Sequence, residues 1–325
     1  MSLLVAQNLS IGYKKKILHQ NLCLEIPKSQ FVCLIGANGV GKTTLLQTLS
    51  ALLPPIAGTI FWLNQEINQI SFAKKAHLLS LVLTQRNEDP LLSVEETLRL
   101  GRYPYTNWWG KLEKKDLQKI EEALEWGKLS PLRHKKLTQL SDGERQKTLI
   151  ARALVQDTPL IFLDEATAHL DLANRILVFR LLKDLAQNFG KGILFSTHEL
   201  DLALQFADRL CLLSSQKMVV GLPEQMVLDG ELDTLFDGLR FNAWQAHFEF
   251  LEDQKMPISV LGEGLLKIWT EKALHRIGFR IQDNAEYQLQ IFENKWSFHG
   301  QIFENLNEVL AFFQKNSLFL RKLTP

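Results

Sequence analysis

The feature that most constrains this chain is a glycine-rich segment, Gly36–Thr44, which contains the pattern Gly-x4-Gly-Lys-Thr without a mismatch. The apolar run before it, Phe31–Ile35, is typical of a buried parallel strand. The residues that follow, Thr43–Leu49, begin a helical spacing of apolar side chains. A strand, a glycine turn and a helix in this order predict an α/β fold built on a parallel sheet.

The same segment has the chemistry of a phosphate-binding loop. Gly36, Gly39 and Gly41 allow backbone torsions that side chains forbid, so successive N–H groups can point at phosphate oxygens. The N-terminus of the following helix adds partial positive charge. Lys42 supplies a cation for the β- and γ-phosphates, and the Thr43 hydroxyl can bind Mg2+. A glycine turn without a ligand is the alternative, but such a turn requires neither the lysine nor the threonine.

A second apolar run, Leu160–Leu163, is followed at once by Asp164 and Glu165. A buried strand that ends in two acidic residues places both carboxylates at the carboxyl edge of a parallel sheet, beside the phosphate-binding loop. We expect Asp164 to hold Mg2+ through its water shell and Glu165 to act as general base on the attacking water. The alternative is an acidic pair that caps the next helix.

These motifs, with five others in the expected order, resemble those of ATP-binding-cassette (ABC) ATPases over about residues 1–237. The other five are Tyr13 in Ile11–Tyr13 (the aromatic that stacks on adenine), Gln85 in Val82–Gln85 (the Q-loop), Leu140–Glu144 (the signature motif), Ala168–Asp171 (the D-loop) and His198 in Phe195–Glu199 (the switch histidine).

The resemblance implies an ATPase that uses ATP and Mg2+. The catalytic residues it implies are Glu165, His198 and Gln85, and the implied magnesium ligands are Thr43, Gln85 and Asp164. The nucleotide-binding residues it implies are Tyr13, Gly36, Asn38, Gly39, Gly41, Lys42, Thr43, Thr44, Ser141 and Gly143.

Ser141 has two compatible interpretations. With Glu144 it forms the pattern of a capping box at the start of a helix. In the family, the corresponding serine and the backbone amides after it contact the γ-phosphate of ATP held by the opposite subunit, which also suits a helix N-terminus. The chain departs from the family pattern at Asp142 and Glu144, where Gly and Gln are commoner, and at Ala166, where proline is usual. We therefore expect Ser141 and Gly143, not Asp142, to make the contact.

Length and composition suit an ordinary globular protein of about two domains. The net charge of +1 offers no case for nucleic-acid binding. No apolar run approaches the roughly 20 residues of a membrane helix. Cys23, Cys33 and Cys211 lack paired spacing and are typical of small apolar residues in a reducing cytosol. We expect a protein that docks on a membrane from the cytoplasmic side.

The expected fold class is α/β: the P-loop NTPase core of an ABC ATPase with an antiparallel β subdomain and a helical subdomain, plus a small α+β C-terminal domain. We assign residues 1–237 to the cassette, 238–250 to a linker and 251–325 to the accessory domain. Within the cassette, residues 85–140 are expected to be largely helical, with Ser93 and Glu96 marking a helix start. The accessory domain is predicted as β-α-β-β-β-α, with Ile302 on its last helix. Its role is open between a structural or dimerising appendage and ligand-sensing regulation.

A signature motif that serves the opposite subunit implies a homodimer of two head-to-tail cassettes around two ATP. The family also implies transmembrane permease subunits and, indirectly, a substrate-binding protein as partners, at the cytoplasmic face of the inner membrane. Gly101–Tyr105 resembles a stretch found in ATPases of iron–siderophore, haem and cobalamin importers, and Thr167–Asp171 has a similar character. We therefore expect the motor of an importer of that type.

Three alternatives remain. Gly101–Tyr105 could simply be a proline-anchored loop between two helices. A soluble ABC ATPase of translation or DNA repair usually has two cassettes or long heptad-rich arms, which this chain lacks. A cassette that only binds nucleotide is disfavoured because Lys42, Asp164, Glu165 and His198 are all present.

Overall fold

The computed structural model describes residues 1–13, 16–83, 91–106, 109–167, 170–235, 239–242, 247–250 and 256–320. The chain divides into two compact units, Met1–Glu249 and Phe250–Pro325. Within the described residues, no helix combines the length and the apolar character needed to cross a bilayer.

Strands of the first unit belong to two main sheets and one hairpin. They are β1 (Ser2–Tyr13), β2 (Lys16–Pro27), β3 (Phe31–Ile35), β4 (Ala57–Trp62), β5 (Gln65–Glu66), β6 (Leu79–Val82), β7 (Leu160–Asp164), β8 (Gly192–Ser196), β9 (Arg209–Leu213), β10 (Met218–Gly221), β11 (Leu239–Asn242) and β12 (His247–Phe250). An antiparallel sheet has the order β2-β1-β4-β5, and the central sheet has the order β10-β9-β3-β8-β7-β6. In the central sheet, all pairs are parallel except β9 with β10.

Helices of this unit lie between the strands. They are α1 (Lys42–Leu49), α2 (Phe72–Lys75), α3 (Val94–Leu100), α4 (Lys114–Trp126), α5 (Asp142–Val155), α6 (Leu172–Phe189), α7 (Leu200–Phe206) and α8 (Pro223–Leu228). The Ser93–Glu96 capping box is confirmed, because the Ser93 N–H donates to Glu96 Oε2 at 2.7 Å and the Glu96 N–H donates to Ser93 Oγ at 3.2 Å.

Both faces of the central sheet are buried. Along β3, Phe31, Cys33 and Ile35 enter one apolar cluster, whereas Val32 and Leu34 enter another. The first cluster also takes in side chains of α3 to α7, and the second joins the sheet to α1 and the antiparallel strands. A strand covered on both faces must be apolar at every position, which explains the unbroken run before the glycine loop.

The segment predicted as a linker, 238–250, contains the paired strands β11 and β12. Phe241 is 8% exposed and belongs to the same apolar cluster as Leu232 and Leu235. Its ring lies 5.3 Å from that of Phe248, and its N–H donates to Asp233 Oδ1 at 2.6 Å. The segment forms a hairpin because its apolar side chains cover part of the first unit. The alternation of apolar residues is too short to predict these strands from sequence.

The second unit is a five-stranded mixed sheet with two helices. Its elements are β13 (Met256–Leu261), α9 (Gly264–Arg276), β14 (Phe279–Ile281), β15 (Tyr287–Phe292), β16 (Lys295–Phe298), β17 (Gln301–Phe303) and α10 (Leu306–Leu320). The sheet order is β14-β13-β15-β16-β17, with β13 parallel to β14 and β15 and the remaining pairs antiparallel.

The placement of Ile302 on a helix was wrong, because this residue lies on the additional strand β17. The chain turns between β16 and β17 at His299 and Gly300, whose φ angles are +47° and +80°. Two successive positive φ angles make the tight turn that matches the twist of a hairpin. Ile302 is in helical phase with Leu306, which is where the helix begins, so spacing alone suggested a helix that starts too early.

Candidate functional site

The glycine loop joins β3 to α1 as predicted. Gly39 and Gly41 have φ angles of +75° and +111°, which favour glycine. At Gly36 the reason for glycine is contact: a Cβ there would lie 2.3 Å from the carbonyl oxygen of Leu213 at the end of β9. The loop is therefore pressed against the carboxyl edge of the central sheet.

Lys42 reaches back into the loop. Its Nζ donates to the carbonyl oxygens of Gly36 at 2.9 Å and Ala37 at 3.1 Å. Burial lowers the pKa of Lys42, and the nearby carboxylates of Glu165 and Asp164 oppose that shift. An ammonium group enclosed by the loop and faced by two carboxylates is placed to meet a phosphate chain.

The other expected nucleotide-binding residues of this region surround the loop. Asn38 and Thr43 are exposed, whereas Thr44 is buried and its hydroxyl donates to the Tyr13 hydroxyl at 3.3 Å. Tyr13 ends β1 and is 50% exposed. Half of the Tyr13 side chain is therefore exposed beside the phosphate-binding loop.

Asp164 is the last residue of β7 and pairs across the sheet with Ser196, the last residue of β8. Ser196 Oγ donates to Asp164 Oδ1 at 2.5 Å, and both side chains are buried. The hydrogen bond fixes one carboxylate oxygen. Sequence reasoning missed Ser196, although its position directly after an apolar run was the available signal.

Glu165 leaves the sheet in a left-handed conformation with φ +46°. Its N–H is held by the Ser196 carbonyl at 3.0 Å. A non-glycine residue in this region is strained, and the strain is offset by the contacts that hold it. The side chain meets His198, whose Nε2 lies 2.6 Å from Glu165 Oε1. The contact joins a side chain that follows β7 to one that follows β8.

Ser141 precedes α5 and forms the predicted capping box. Its N–H donates to Glu144 Oε2 at 2.8 Å, and the Glu144 N–H donates to Ser141 Oγ at 3.3 Å. The first of these bonds lowers the pKa of Glu144, so the carboxylate stays ionised. Glu144, which stands where Gln is commoner in the family, thus takes part in the helix cap. The Ser141 side chain is exposed at the N-terminus of the helix.

Gly143 lies close to another part of its own chain. A Cβ at this position would lie 2.4 Å from Asn174 Oδ1, in the first turn of α6. Asp171, from the D-loop pattern, caps the same turn by accepting from the Asn174 N–H at 2.8 Å. The signature helix and the D-loop end are therefore in direct contact.

Arg175 is a second residue that sequence reasoning missed. It donates from Nε to the Leu170 carbonyl at 2.8 Å and from Nη1 to Glu199 Oε1 at 2.7 Å. It thereby joins the end of the D-loop to the residue after His198. Gln85, Ala168 and His169 lie outside the described residues, so the Q-loop and part of the D-loop remain expectations.

The stretch Gly101–Tyr105 has a packing role. Arg102 is buried and donates to Asp116 Oδ1 at 2.9 Å and to the Val155 carbonyl at 2.9 Å. The Tyr105 hydroxyl donates to the Gln156 carbonyl at 2.9 Å. These bonds tie the turn after α3 to α4 and to the end of α5, which supports the loop interpretation of this stretch.

The donor set around the loop suits Mg2+. Among the described residues, no group of three or more His, Cys, Asp or Glu side chains could hold a metal ion by itself. Mg2+ commonly takes only one or two protein ligands and completes its shell with phosphate oxygens and water. Thr43 and Asp164 are the described residues of the expected set.

Comparison with known proteins extends these observations. Residues 19–168 match the ABC transporter family, and residues 255–314 match the iron ABC transporter C-terminal domain. Sequence patterns in residues 251–325 did not predict the second match.

The chain is similar to the achromobactin transport ATP-binding protein CbrD of Dickeya dadantii, with 32% identity over 73% of this chain and 88% of that protein. It is similar to the iron(3+)-hydroxamate import ATP-binding protein FhuC of Bacillus subtilis, with 35% identity over 64% of this chain and 77% of that protein. A solved metal-chelate type ABC transporter in an inward-facing conformation aligns with TM-score 0.66 and 30% identity, over 78% of this chain and 99% of that chain.

Proposed function

This chain belongs to the ATP-binding proteins of ABC transporters, and from that premise we propose that it powers import of iron–chelate complexes. Its activity is ATP hydrolysis, and proteins of this family act as dimers together with membrane permease components. The observation that carries the iron proposal is the occurrence, in one chain, of a cassette and a match to the iron ABC transporter C-terminal domain.

The names of the relatives point to the cargo class. CbrD is named for achromobactin transport and FhuC for iron(3+)-hydroxamate import, and both align with the cassette of this chain. We assign the same class, iron held by an organic chelator, to the transporter that this chain serves. Gly101–Tyr105 gives little independent support, since its described contacts are those of packing. The non-transport alternative in translation or DNA repair is not favoured by any of these similarities.

We assign roles in hydrolysis from geometry. Lys42 moves from the loop carbonyls to the β- and γ-phosphates, where its charge is better compensated. Glu165 accepts a proton from the attacking water, and His198 holds the Glu165 carboxylate in place. Mg2+, when bound between Thr43 and Asp164, would neutralise charge on the phosphates. Ser196 orients Asp164 by fixing one of its oxygens.

The proposal of a dimer rests on the signature motif. Ser141 caps α5 with an exposed side chain and Gly143 lies in the first turn, and a helix N-terminus can meet an anion. We propose that they contact ATP held by a second copy, so that two cassettes close on two nucleotides and separate after hydrolysis. The permease would sit in the inner membrane with the cassettes on its cytoplasmic face, and a substrate-binding protein would deliver the cargo.

The test is transport in membrane vesicles that contain the full chain and its permease. Uptake of a ferric hydroxamate or ferric catecholate complex is measured together with ATP turnover, for the wild type and for Glu165→Gln. Because glutamine can still accept from His198 but cannot take a proton, we expect turnover to fall by about 10²- to 10⁴-fold, with ATP binding and the fold intact. Uptake should be lost with it.

The matched control is Glu224→Gln, an exposed acid in the first turn of α8, which should leave both measurements unchanged. Full turnover by Glu165→Gln would remove Glu165 from the general-base role. ATP turnover without uptake of any ferric complex, in vesicles that do transport another solute, would overturn the iron assignment and leave the motor assignment standing.

A further inference from the structure

His19, on β2, touches the phosphate-binding loop from the side of the antiparallel sheet. Its ring is buried, with 8% exposure, and its Nε2 lies 2.6 Å from the carbonyl oxygen of Val40. A carbonyl oxygen only accepts, so Nε2 carries a proton and donates it here. The two residues are 21 positions apart, so the contact depends on the fold and not on local sequence.

We propose that His19 is a positioning residue for nucleotide binding, which sets the direction of the Gly41 N–H through the Val40 carbonyl. The Val40–Gly41 peptide is trans, so its C=O and N–H point in opposite directions. A carbonyl held towards His19 therefore turns the Gly41 N–H away from His19. In the described part of the chain this N–H has no protein acceptor, which leaves it for an anion.

The loop needs such a fixed point because glycine on either side of Val40 leaves the peptide free to rotate. Gly39 and Gly41 occupy positive φ angles of +75° and +111°, and glycine reaches other torsions at little cost. The His19 ring also contacts Gly41 directly, since a Cβ built there would lie 3.4 Å from its Cδ2. The hydrogen bond and the ring contact together restrict the peptide to one orientation.

β2 can hold the ring because it is itself fixed by β1. His19 pairs with Ile11 of β1, and the same strand ends at Tyr13, which accepts the Thr44 hydroxyl. The antiparallel sheet therefore contacts the phosphate-loop region at two points, Tyr13 at Thr44 and His19 at Val40. Both contacts are made by the cassette alone.

The inference rests on the proposed nucleotide site and is tested by nucleotide affinity in the full chain. The variants are His19→Leu, which removes the donor, and His19→Gln, which keeps an N–H donor on a side chain of similar length. His134→Gln, an exposed histidine outside the site, is the control. Dissociation constants are measured for ATP, ADP and adenosine, and KM and kcat for ATP.

We expect His19→Leu to raise the dissociation constants of ATP and ADP by about tenfold, which corresponds to the loss of one buried hydrogen bond. Adenosine, which carries no phosphate, should bind as to the wild type. The loss should appear mainly in KM, and His19→Gln should recover affinity to within about threefold of the wild type. If the leucine variant does not fold, His19→Asn replaces it, because its shorter amide cannot reach Val40.

Unchanged ATP affinity in the folded donor-free variant would overturn the proposal. So would an equal loss for adenosine, or an equal loss in the glutamine variant, because either result would indicate general disruption of the loop. Failure of the wild type to bind ATP would instead overturn the proposed function itself, and the His19 inference with it.

Discussion

Arg102 and Asp116 form a buried ion pair that joins α3, α4 and α5. Their side chains are 5% and 1% exposed, and Arg102 Nη2 lies 2.8 Å from Asp116 Oδ1. Asp116 Oδ2 also accepts the Glu113 N–H at 2.8 Å, and Arg102 also donates to a carbonyl of α5. Asp116 and the α5 carbonyl are therefore the groups that compensate the Arg102 charge. Loss of the Asp116 carboxylate would leave that buried charge without compensation.

We predict that Asp116→Asn lowers the free energy of unfolding by about 3 kcal/mol, because an unpaired buried arginine is costly. Denaturant titration of the full chain measures the change. The control is Lys115→Ala, which removes the Glu113–Lys115 pair whose side chains are 70% and 69% exposed, and which should change stability by less than about 0.5 kcal/mol. Equal effects of the two variants would contradict the view that this pair organises the subdomain.

The same pair gives a pH dependence. Burial disfavours the Asp116 carboxylate, but hydrogen bonds from the Glu113 N–H and Arg102 outweigh it and hold its pKa below the ordinary value of 3.8. The stabilisation is thus complete above that ordinary value and is lost as pH falls through the lowered one. Asp116→Asn should lack this component of acid sensitivity.

Among the elements, the first turn of α6 connects motifs that are distant in sequence. Asp171 caps it, Asn174 lies against Gly143 of the signature helix, and Arg175 binds both Leu170 and Glu199. Glu199 follows His198, which holds Glu165. One helical turn therefore contacts the segments that carry the signature motif, the D-loop and the switch histidine.

We predict that Arg175→Ala lowers kcat by at least about tenfold while KM for ATP changes little, because misplaced catalytic groups slow the chemistry more than they weaken binding. Steady-state ATP turnover measures both constants. Arg180→Ala is the control, since Arg180 is exposed on the same helix. A rise in KM with an unchanged kcat would show that Arg175 supports nucleotide binding instead.

For the whole molecule, the hairpin of β11 and β12 determines where the chain can be truncated without removing part of the cassette core. Phe241 is buried in the cassette core and its ring lies against Phe248. The division into compact units also falls at the end of this hairpin, between residues 249 and 250. We propose that the independent cassette extends to about residue 250, beyond the end at 237 that sequence patterns suggested.

We predict that a chain ending at residue 250 hydrolyses ATP at a measurable basal rate, whereas a chain ending at 237 loses about 2–4 kcal/mol of stability. The second cut removes two phenylalanines that cover the cassette core. Thermal unfolding by circular dichroism and ATP turnover compare both chains with the full length. A folded 1–250 chain without activity would show that the second unit shapes the motor.

Motif-based prediction was accurate for local features. The strand, glycine loop and helix around Lys42 follow from apolar runs and glycines, and the capping boxes at Ser93 and Ser141 follow from pairs three residues apart. The additional strand at Ile302 and the hairpin at 239–250 were missed, because short alternations of apolar residues also fit a helix or a loop.

By itself, the sequence determined the fold class and predicted the residues that bind phosphate and metal, because those depend on local torsions and on residue type. Only the tertiary structure decided which residues hold the site in place. Ser196 contacts Asp164, His19 contacts Val40, and Arg175 contacts Glu199. Each of these contacts joins residues more than twenty positions apart. No local pattern encodes such a meeting, since it arises only when strands pair and helices pack against them.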